Sequence, residues 1–259
     1  MKDILRAFNI TGTTTKLPGG QGTSIRVGDY VIKPVADADY TNWCMSVLDD
    51  IIPRGYRISK PMRSIDGNYV YKNYVCTRFE IGVEQDGMID EKLKISKAFH
   101  NDLNNRSFLD MPYAVDPWSS AHRIVWREMR LPEQIHSSSK GIVEPLLMRL
   151  DNRNRKNGQI IHSDLGGNIL FDKSLKPLII DFSPTIGTRD YADAIMVCDQ
   201  IAWAEVSLEY LDRIHDKQNV LRAVLFRLIT MILFDPQNES LFMTEYLAFK
   251  KILDYCQMS

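Results

Sequence analysis

Four polar residues in the segment 160–184, His162, Asp164, Asn168 and Asp181, have types and spacing suited to chemistry. The runs 168–171 and 177–180 are apolar enough for two short strands, and the segment 172–176 between them is rich in turn-forming residues. A β-hairpin of this kind would hold Asn168 and Asp181 at neighbouring strand ends. The loop before the hairpin would leave Asp164 close to both.

Each of these residues suits a different part of a phosphoryl transfer. A general base must reach an acceptor hydroxyl, and a loop aspartate such as Asp164 meets that need. Mg²⁺ takes oxygen ligands and usually only one or two protein carboxylates, which fits Asn168 and Asp181. The alternative is an ordinary hairpin whose Asp and Asn residues form turns and caps, and for Asp172 this is the interpretation that we adopt.

At these residues the chain resembles the aminoglycoside phosphotransferase and choline kinase branch of the kinase-like phosphotransferases. That branch carries a His-x-Asp loop ending in Asn-hydrophobic-Leu, followed by a metal-binding Asp after a short strand. The resemblance implies Asp164 as catalytic base and Asn168 and Asp181 as Mg²⁺ ligands. The forms HSDLGGNIL and IIDFSP are also similar to a small bacterial family of aminoglycoside-phosphotransferase-like proteins.

The chain departs from the pattern of that branch at two points near the site. Three residues separate Asp164 from Asn168, where the branch has four, and Gly166-Gly167 can close the tighter turn. Pro184 follows the metal aspartate closely, which predicts a stiff segment because proline fixes φ and has no N–H.

Two further residues are candidates for structural support. His162 could act as a base or a ligand, but we favour a role in bracing the backbone around Asp164. Asp199 resembles the buried aspartate that braces the catalytic loop in this superfamily, and a surface helix aspartate is the equal alternative.

The N-terminal region has a glycine-rich segment that suits phosphate binding. Gly19, Gly20, Gly22 and Thr23 lie in a loop that is followed by Ile25-Arg26-Val27, and the segment 30–35 alternates like a strand. The order predicted is strand, glycine-rich loop, strand, turn, strand. Backbone N–H groups of such a loop approach phosphates closely, and Lys33 on the following strand could pair with them. The spacing differs from that of a P-loop. An ordinary glycine-rich hairpin is the structural alternative.

A helix is expected at 38–52, with an apolar stripe that includes Trp43, Val47 and Leu48. In the kinase-like fold this helix normally supplies a Glu that pairs with the strand lysine, but 38–52 contains none. Asp39, Asp49 and Asn42 are the possible substitutes. The resemblance also implies a hinge at 77–82, where Arg78 and Phe79 would adjoin the adenine ring.

These elements predict an α+β, two-lobed protein-kinase-like fold. The N-lobe, residues 1–79, has a small antiparallel sheet and one helix, and the C-lobe, residues 80–259, is mainly helical. Apolar periodicity in the C-lobe predicts helices. They are expected at 90–103, 116–126, 141–154, 191–206, 219–234 and 241–255.

The overall composition limits which binding partners and which cellular compartment we expect. The net charge is −1, which gives no general drive toward nucleic acid or an anionic membrane. No apolar run is long enough for a transmembrane helix, and no signal peptide is recognisable. The four cysteines are scattered without a C-x-x-C pair, so we expect reduced thiols in a cytoplasmic protein.

The sequence therefore predicts an enzyme that transfers the γ-phosphoryl group of ATP, with Mg²⁺, to a hydroxyl of a small molecule. A nucleotide-binding pseudokinase with a regulatory role is the alternative. A protein kinase ranks last, since no Ala-Pro-Glu follows Asp181. The pattern selects neither an acceptor nor an oligomeric state.

Overall fold

The computed structural model describes residues 1–17, 22–104, 106–112, 114–153 and 158–258. Its α-helices are α1 (Lys2–Ala7), α2 (Ala38–Asp49), α3 (Ile89–Leu103), α4 (Pro117–Val125), α5 (Ser137–Met148), α6 (Arg189–Trp203), α7 (Lys217–Phe234) and α8 (Glu239–Met258). A 3-10 helix spans Leu208–Arg213.

The strands are short. They are β1 (Thr14–Lys16), β2 (Ile25–Val27), β3 (Tyr30–Pro34), β4 (Arg57–Ile58), β5 (Pro61–Met62), β6 (Val70–Tyr71), β7 (Tyr74–Arg78), β8 (Val83–Glu84), β9 (Gln159–His162), β10 (Ile169–Phe171), β11 (Leu178–Ile179) and β12 (Pro184–Gly187).

The chain divides into two compact units that interleave along the sequence. The sheet unit comprises Met1–Glu84, Leu109–Ala114 and Asn168–Phe182. The helical unit comprises Gln85–Phe108, Val115–Gly167 and Ser183–Ser259. The lobe boundary between residues 79 and 80 stays a prediction.

The sheet unit contains an antiparallel sheet in the order β1-β2-β3-β7-β5, with β6 also paired to β7. Gly28, at φ 57°, makes the tight turn between β2 and β3 that its lack of a side chain permits. The buried residues Val27, Ile32 and Cys76 pack with α1. The sequence predicts one helix in this region, and α1 is an additional one.

A second sheet in the sheet unit has the order β4-β11-β10-β8. Its centre is the predicted hairpin, in which Ile169 pairs with Ile179 and Leu170 with Leu178. The turn is closed by Asp172, whose Oδ1 accepts hydrogen bonds from the N–H groups of Ser174 at 2.8 Å and Leu175 at 3.1 Å. Asp172 therefore has the turn-forming role expected from the sequence.

The helical unit is built around α7, which packs against α4, α5, α6 and α8. Capping side chains set where two of these helices begin. At the start of α4, Asp116 accepts a hydrogen bond from the N–H of Ser119, and at the start of α6, Thr188 accepts one from the N–H of Tyr191. β9 pairs with β12, and Pro184 lies opposite His162. The segment after Asp181 is therefore a short paired strand. In the part of the chain that the structure describes, no helix is both long and apolar enough to cross a membrane.

Candidate active site

Asn168 and Asp181 lie at the same end of the β10–β11 hairpin. The N–H of Ile180 donates to the carbonyl of Asn168 at 3.0 Å, so the next residue, Asp181, leaves the ladder beside Asn168. Asp181 has φ 47°, a left-handed conformation that is uncommon outside glycine but that Asp and Asn tolerate better than most residues. Strained backbone of this kind is frequent at functional sites.

Lys33 forms an ion pair with Asp181, and its Nζ is 3.0 Å from Asp181 Oδ1. Lys33 is on β3, opposite Val75 of β7, in the interior of the antiparallel sheet. The side chains are 41% and 49% exposed, so the pair contributes little to stability. Its significance is positional, because it brings together two residues that the sequence assigned to one site.

Two of the three α2 candidates for pairing with Lys33 have other partners. Asp49 accepts a hydrogen bond from the hydroxyl of Tyr69 at 2.7 Å, and this bond lowers the pKa of Asp49. Asn42 Oδ1 accepts from the N–H of Tyr69 at 2.9 Å. Asp39 is exposed at the start of the helix. α2 is therefore anchored to the Tyr69 segment, and Lys33 is paired with Asp181.

The glycine-rich segment connects β1 to β2, as predicted. The N–H of Leu17 donates to the carbonyl of Ser24 at 3.0 Å and closes the loop. Gly22 has φ 64° and Thr23 follows it, whereas Gly19 and Gly20 lie outside the described residues. The phosphate-binding role of these four residues stays a prediction.

Arg78 is the last residue of β7 and Phe79 follows it, where the hinge was expected. The N–H of Arg78 donates to the carbonyl of Lys60 and that of Phe79 to the carbonyl of Asp29, each at 2.8 Å. The guanidinium of Arg26 lies 3.7 Å from the centroid of the Phe79 ring. Both amide donors thus serve the fold, and contact with an adenine ring stays a prediction for these residues.

The backbone around Asp164 is braced by two histidines. The N–H of Asp164 donates to Nδ1 of His162 at 3.1 Å, which is the kind of support that we favoured for His162. His162 is fully buried, and its own N–H donates to Nε2 of His100 at 3.0 Å. The loop is therefore fastened by imidazole acceptors on both sides of Ser163.

Arg227 on α7 connects Asp164 to Asp199. One terminal nitrogen of its guanidinium lies 2.7 Å from Asp164 Oδ1 and 2.5 Å from Asp199 Oδ2, and Nε lies 2.9 Å from Asp199 Oδ1. Asp199 is 2% exposed, so it is a buried residue and not a surface one. Burial raises the pKa of Asp199 to about 6, although Arg227 acts in the opposite direction.

Glu245 of α8 is a further carboxyl group near this arginine. Burial is the main reason that its pKa is raised to about 7, while the charge of Arg227 lowers it. Trp203 donates a hydrogen bond to Glu245 and lies under the guanidinium of Arg227, 5.3 Å from ring centroid to Cζ. No sequence pattern connects Arg227 or Glu245 with Asp164, because both residues are distant from it along the chain.

Helix α3 contributes a polar stripe that sequence reasoning missed, consisting of Lys92, Ser96 and His100. The three side chains are fully buried. Lys92 Nζ donates to the carbonyl of Gly166 at 2.8 Å, and Ser96 donates to Asp193 Oδ1 at 2.5 Å. Their spacing of four residues places them on one helix face, and polar residues on an apolar face were the available signal.

The hairpin end presents oxygen atoms of the type that Mg²⁺ takes as ligands. Carboxylate and amide oxygens are hard ligands, and Mg²⁺ is usually held by one or two carboxylates together with phosphates and water. Asp181 and Asn168 supply such oxygens at one strand end. Across the described residues there is no group of three or more His, Cys, Asp or Glu side chains that could hold a metal ion. A site completed by substrate phosphates fits this donor set.

The chain has a protein-kinase-like α+β fold, with an antiparallel sheet in its N-terminal region and a mostly helical remainder. The solved structures to which it is similar include small-molecule phosphotransferases. A spectinomycin phosphotransferase in complex with ADP and spectinomycin has a TM-score of 0.63 and 13% identity, over 98% of this chain and 96% of that chain.

Two choline kinases are also similar in fold. The enzyme of Cryptosporidium parvum has a TM-score of 0.61 and 11% identity, over 99% of this chain and 94% of that chain. LicA of Streptococcus pneumoniae has a TM-score of 0.60 and 11% identity, over 100% of this chain and 98% of that chain. No family model and no curated protein matches the sequence.

Proposed function

We propose that this protein is a Mg²⁺- and ATP-dependent phosphotransferase that moves the γ-phosphoryl group to a hydroxyl of a small molecule. The observation that carries the proposal is the Lys33–Asp181 pair, at 3.0 Å, on the hairpin end that also bears Asn168. The fold is shared with aminoglycoside phosphotransferases and choline kinases, which supports the same reaction class.

The proposal assigns nucleotide binding to the sheet unit. Lys33 would bind phosphate oxygens, and the loop with Gly19, Gly20, Gly22 and Thr23 would donate backbone N–H groups to them. Arg78 and Phe79 would adjoin the adenine ring. When bound through Asn168 and Asp181, Mg²⁺ would neutralise phosphate charge.

Acceptor activation is assigned to Asp164. Its side chain is 45% exposed, so it is accessible to a substrate hydroxyl. A carboxylate hydrogen-bonded to that hydroxyl would orient the attacking oxygen and take up its proton during transfer. His162 and Asp199 would keep the loop in place. Because the four free cysteines are scattered, we place the reaction in the cytoplasm.

Thermal unfolding tests nucleotide binding with a charge-matched pair of variants. Asp181→Asn removes a charge at the proposed metal site, and asparagine tolerates the backbone conformation. Asp172→Asn removes a charge at the other end of the same hairpin while keeping the oxygen that closes the turn. A ligand at a hundred times its Kd stabilises the native state by about 2.7 kcal/mol.

We expect MgATP, but neither Mg²⁺ alone nor metal-free ATP, to raise the melting temperature of the wild type and of Asp172→Asn. The shift should be much smaller in Asp181→Asn. An unchanged melting temperature for the wild type at saturating MgATP would contradict the proposal.

A nucleotide-binding pseudokinase is the second candidate. It is favoured by the shortened loop and by the cation that already lies on the Asp164 carboxylate. Release of ADP from MgATP, with water as acceptor, separates the two candidates. An enzyme should lose this turnover by about 100-fold or more in Asp164→Asn. A pseudokinase should bind MgATP equally in both forms and show no turnover.

A further inference from the structure

The Asp164 loop contains no cation of its own between Asp164 and Asn168. The intervening residues are Leu165, Gly166 and Gly167. The positive charge beside the carboxylate instead comes from Arg227, which is 63 residues further along the chain and on a different element, α7. The Arg227–Asp164 contact therefore depends on how α7 packs in the helical unit.

The guanidinium of Arg227 is fixed at its inner end before it reaches Asp164. It binds both carboxylate oxygens of Asp199, and a two-point contact between planar groups sets orientation as well as distance. The ring of Phe226 lies 4.9 Å from the guanidinium carbon and restricts it further. The arginine therefore has little freedom to follow a moving carboxylate.

Exposure falls steeply along this chain of contacts. The side chain of Asp164 is 45% exposed, whereas those of Arg227 and Asp199 are 8% and 3% exposed. Only the outer member can meet a substrate, and the inner two are held in the core of the helical unit. A buried charge pair is a costly way to build a core, but it gives a defined geometry.

We infer that Arg227 is a positioning residue that holds the Asp164 carboxylate in the orientation required for the acceptor hydroxyl. This inference rests on the proposed function. The geometry of the reacting groups is worth much in catalysis, so a small displacement of Asp164 should slow the reaction without weakening nucleotide binding.

The chain offers a matched control in Arg222, five residues earlier on the same helix. Arg222 is fully buried, is paired with Asp151, and has its guanidinium 4.3 Å from the Trp126 ring centroid. Both arginines are thus interior cations of α7 that have an acidic partner and an aromatic ring close to the guanidinium. Of the two, Arg227 is the one that contacts Asp164.

The experiment measures kcat and KM for ADP release from MgATP, with water as acceptor, in the wild type, Arg227→Lys and Arg222→Lys. Lysine keeps the charge in both variants but cannot bind two carboxylates in the planar geometry of arginine. We expect Arg227→Lys to lower kcat by about 10- to 100-fold with KM for MgATP changed by less than about twofold. Arg222→Lys should leave kcat and KM within about twofold of the wild type.

A second variant, Asp199→Asn, guards against a folding failure of Arg227→Lys. It removes the inner anchor but leaves Arg227 and Asp164, so kcat should fall by a smaller factor while the thermal shift with MgATP is preserved. Equal kcat values for the Arg227→Lys and Arg222→Lys enzymes would overturn the positioning role. A wild type without turnover would instead overturn the proposed function, and the positioning role with it.

Discussion

At the scale of single residues, polar side chains buried around the Asp164 loop explain how a loop with two glycines can keep one conformation. Lys92 donates to the Gly166 carbonyl, and the same ammonium group donates to Gln200 Oε1 at 3.1 Å. A buried carbonyl without a donor is costly, so these contacts are both a constraint on the loop and a contribution to stability.

Replacing Lys92 by methionine tests this constraint. Lys92→Met keeps the apolar stem and removes the donor, so the Gly166 carbonyl would lose its hydrogen bond in a buried place. We expect the free energy of unfolding to fall by about 1–3 kcal/mol, measured by urea denaturation. The control, Lys94→Met, changes an exposed lysine of the same helix and should stay within about 0.5 kcal/mol of the wild type.

The backbone of Asp181 gives a second residue-scale prediction. At φ 47° alanine is strained, whereas asparagine adopts this region more readily. Both Asp181→Ala and Asp181→Asn remove the charge that pairs with Lys33, so their difference reports the backbone together with any hydrogen bond of the asparagine side chain. We expect Asp181→Ala to be less stable than Asp181→Asn by about 1 kcal/mol in urea denaturation. Equal stability would show that the strain is relieved locally.

At the scale of elements, sequence patterns predicted the structures that depend on local interactions. The hairpin around Asp172 and the start of α4 at Asp116 are set by nearby hydrogen bonds, and both were predicted. The strand pairs β9–β12 and β4–β11 were not predicted, because their partners are distant in sequence and each strand is too short to show a period. Long-range pairing leaves little signal in a single sequence.

Two glycine positions test how tightly the elements pack, because alanine is expected to lower stability at one of them and to raise it at the other. A Cβ at Gly82 would lie 2.7 Å from the Cβ of Leu170 on β10, which is too close for the strand to accept unchanged. A Cβ at Gly141, within α5, would meet no atom within 4 Å.

We expect Gly82→Ala to destabilise the protein by about 1–3 kcal/mol through overpacking. Gly141→Ala should stabilise it by about 0.5–1 kcal/mol, because alanine favours the helix. Thermal or urea unfolding of both variants measures these changes in stability. Destabilisation by both would indicate that α5 is not helical at Gly141.

At the scale of the whole molecule, the sequence carried enough motif information to predict the kinase-like fold, although similar solved structures share only 10–14% identity with it. The motif fixed Asp164, Asn168 and Asp181 in order and spacing. It did not indicate Arg227, since a buried arginine in an apolar helix can be paired with any acidic residue that folding brings near. Such contacts depend on tertiary packing.

The dependence of global stability on pH is the molecule-scale consequence of the buried polar groups. Ser96 donates to Asp193, so its oxygen is the acceptor for Nδ1–H of His100, and Nε2 of His100 accepts from His162. One ring nitrogen of His100 donates a hydrogen bond and the other accepts one, and this is the arrangement of a neutral imidazole. Burial, then the charge of His162, lowers the pKa of His100 from 6.5 to about 3.

The sign follows from proton binding. Between the folded value of about 3 and the unfolded value of 6.5, the unfolded chain binds a proton at His100 that the folded chain does not. The stability from His100 is therefore fully present above 6.5 and is lost as the pH falls. Asp193 has the opposite effect on stability, because burial raises its pKa to about 6 and the folded chain therefore holds the extra proton as the pH falls. The contributions of His100 and Asp193 to the pH dependence of wild-type stability therefore partly cancel.

Comparison of the wild type with His100→Gln separates the histidine from these opposing groups. Glutamine keeps an acceptor for the His162 N–H and does not titrate, so the stability advantage of the wild type should shrink by about 1.4 kcal/mol per pH unit below the unfolded pKa of histidine. Urea denaturation from neutral to acidic pH measures it. The control is Asn101→Gln, which changes an exposed residue at the next position and adds no titrating group. Its free energy of unfolding should vary with pH in the same way as that of the wild type. If the His100→Gln curve is also parallel, the neutral buried histidine is not what links folding to protons.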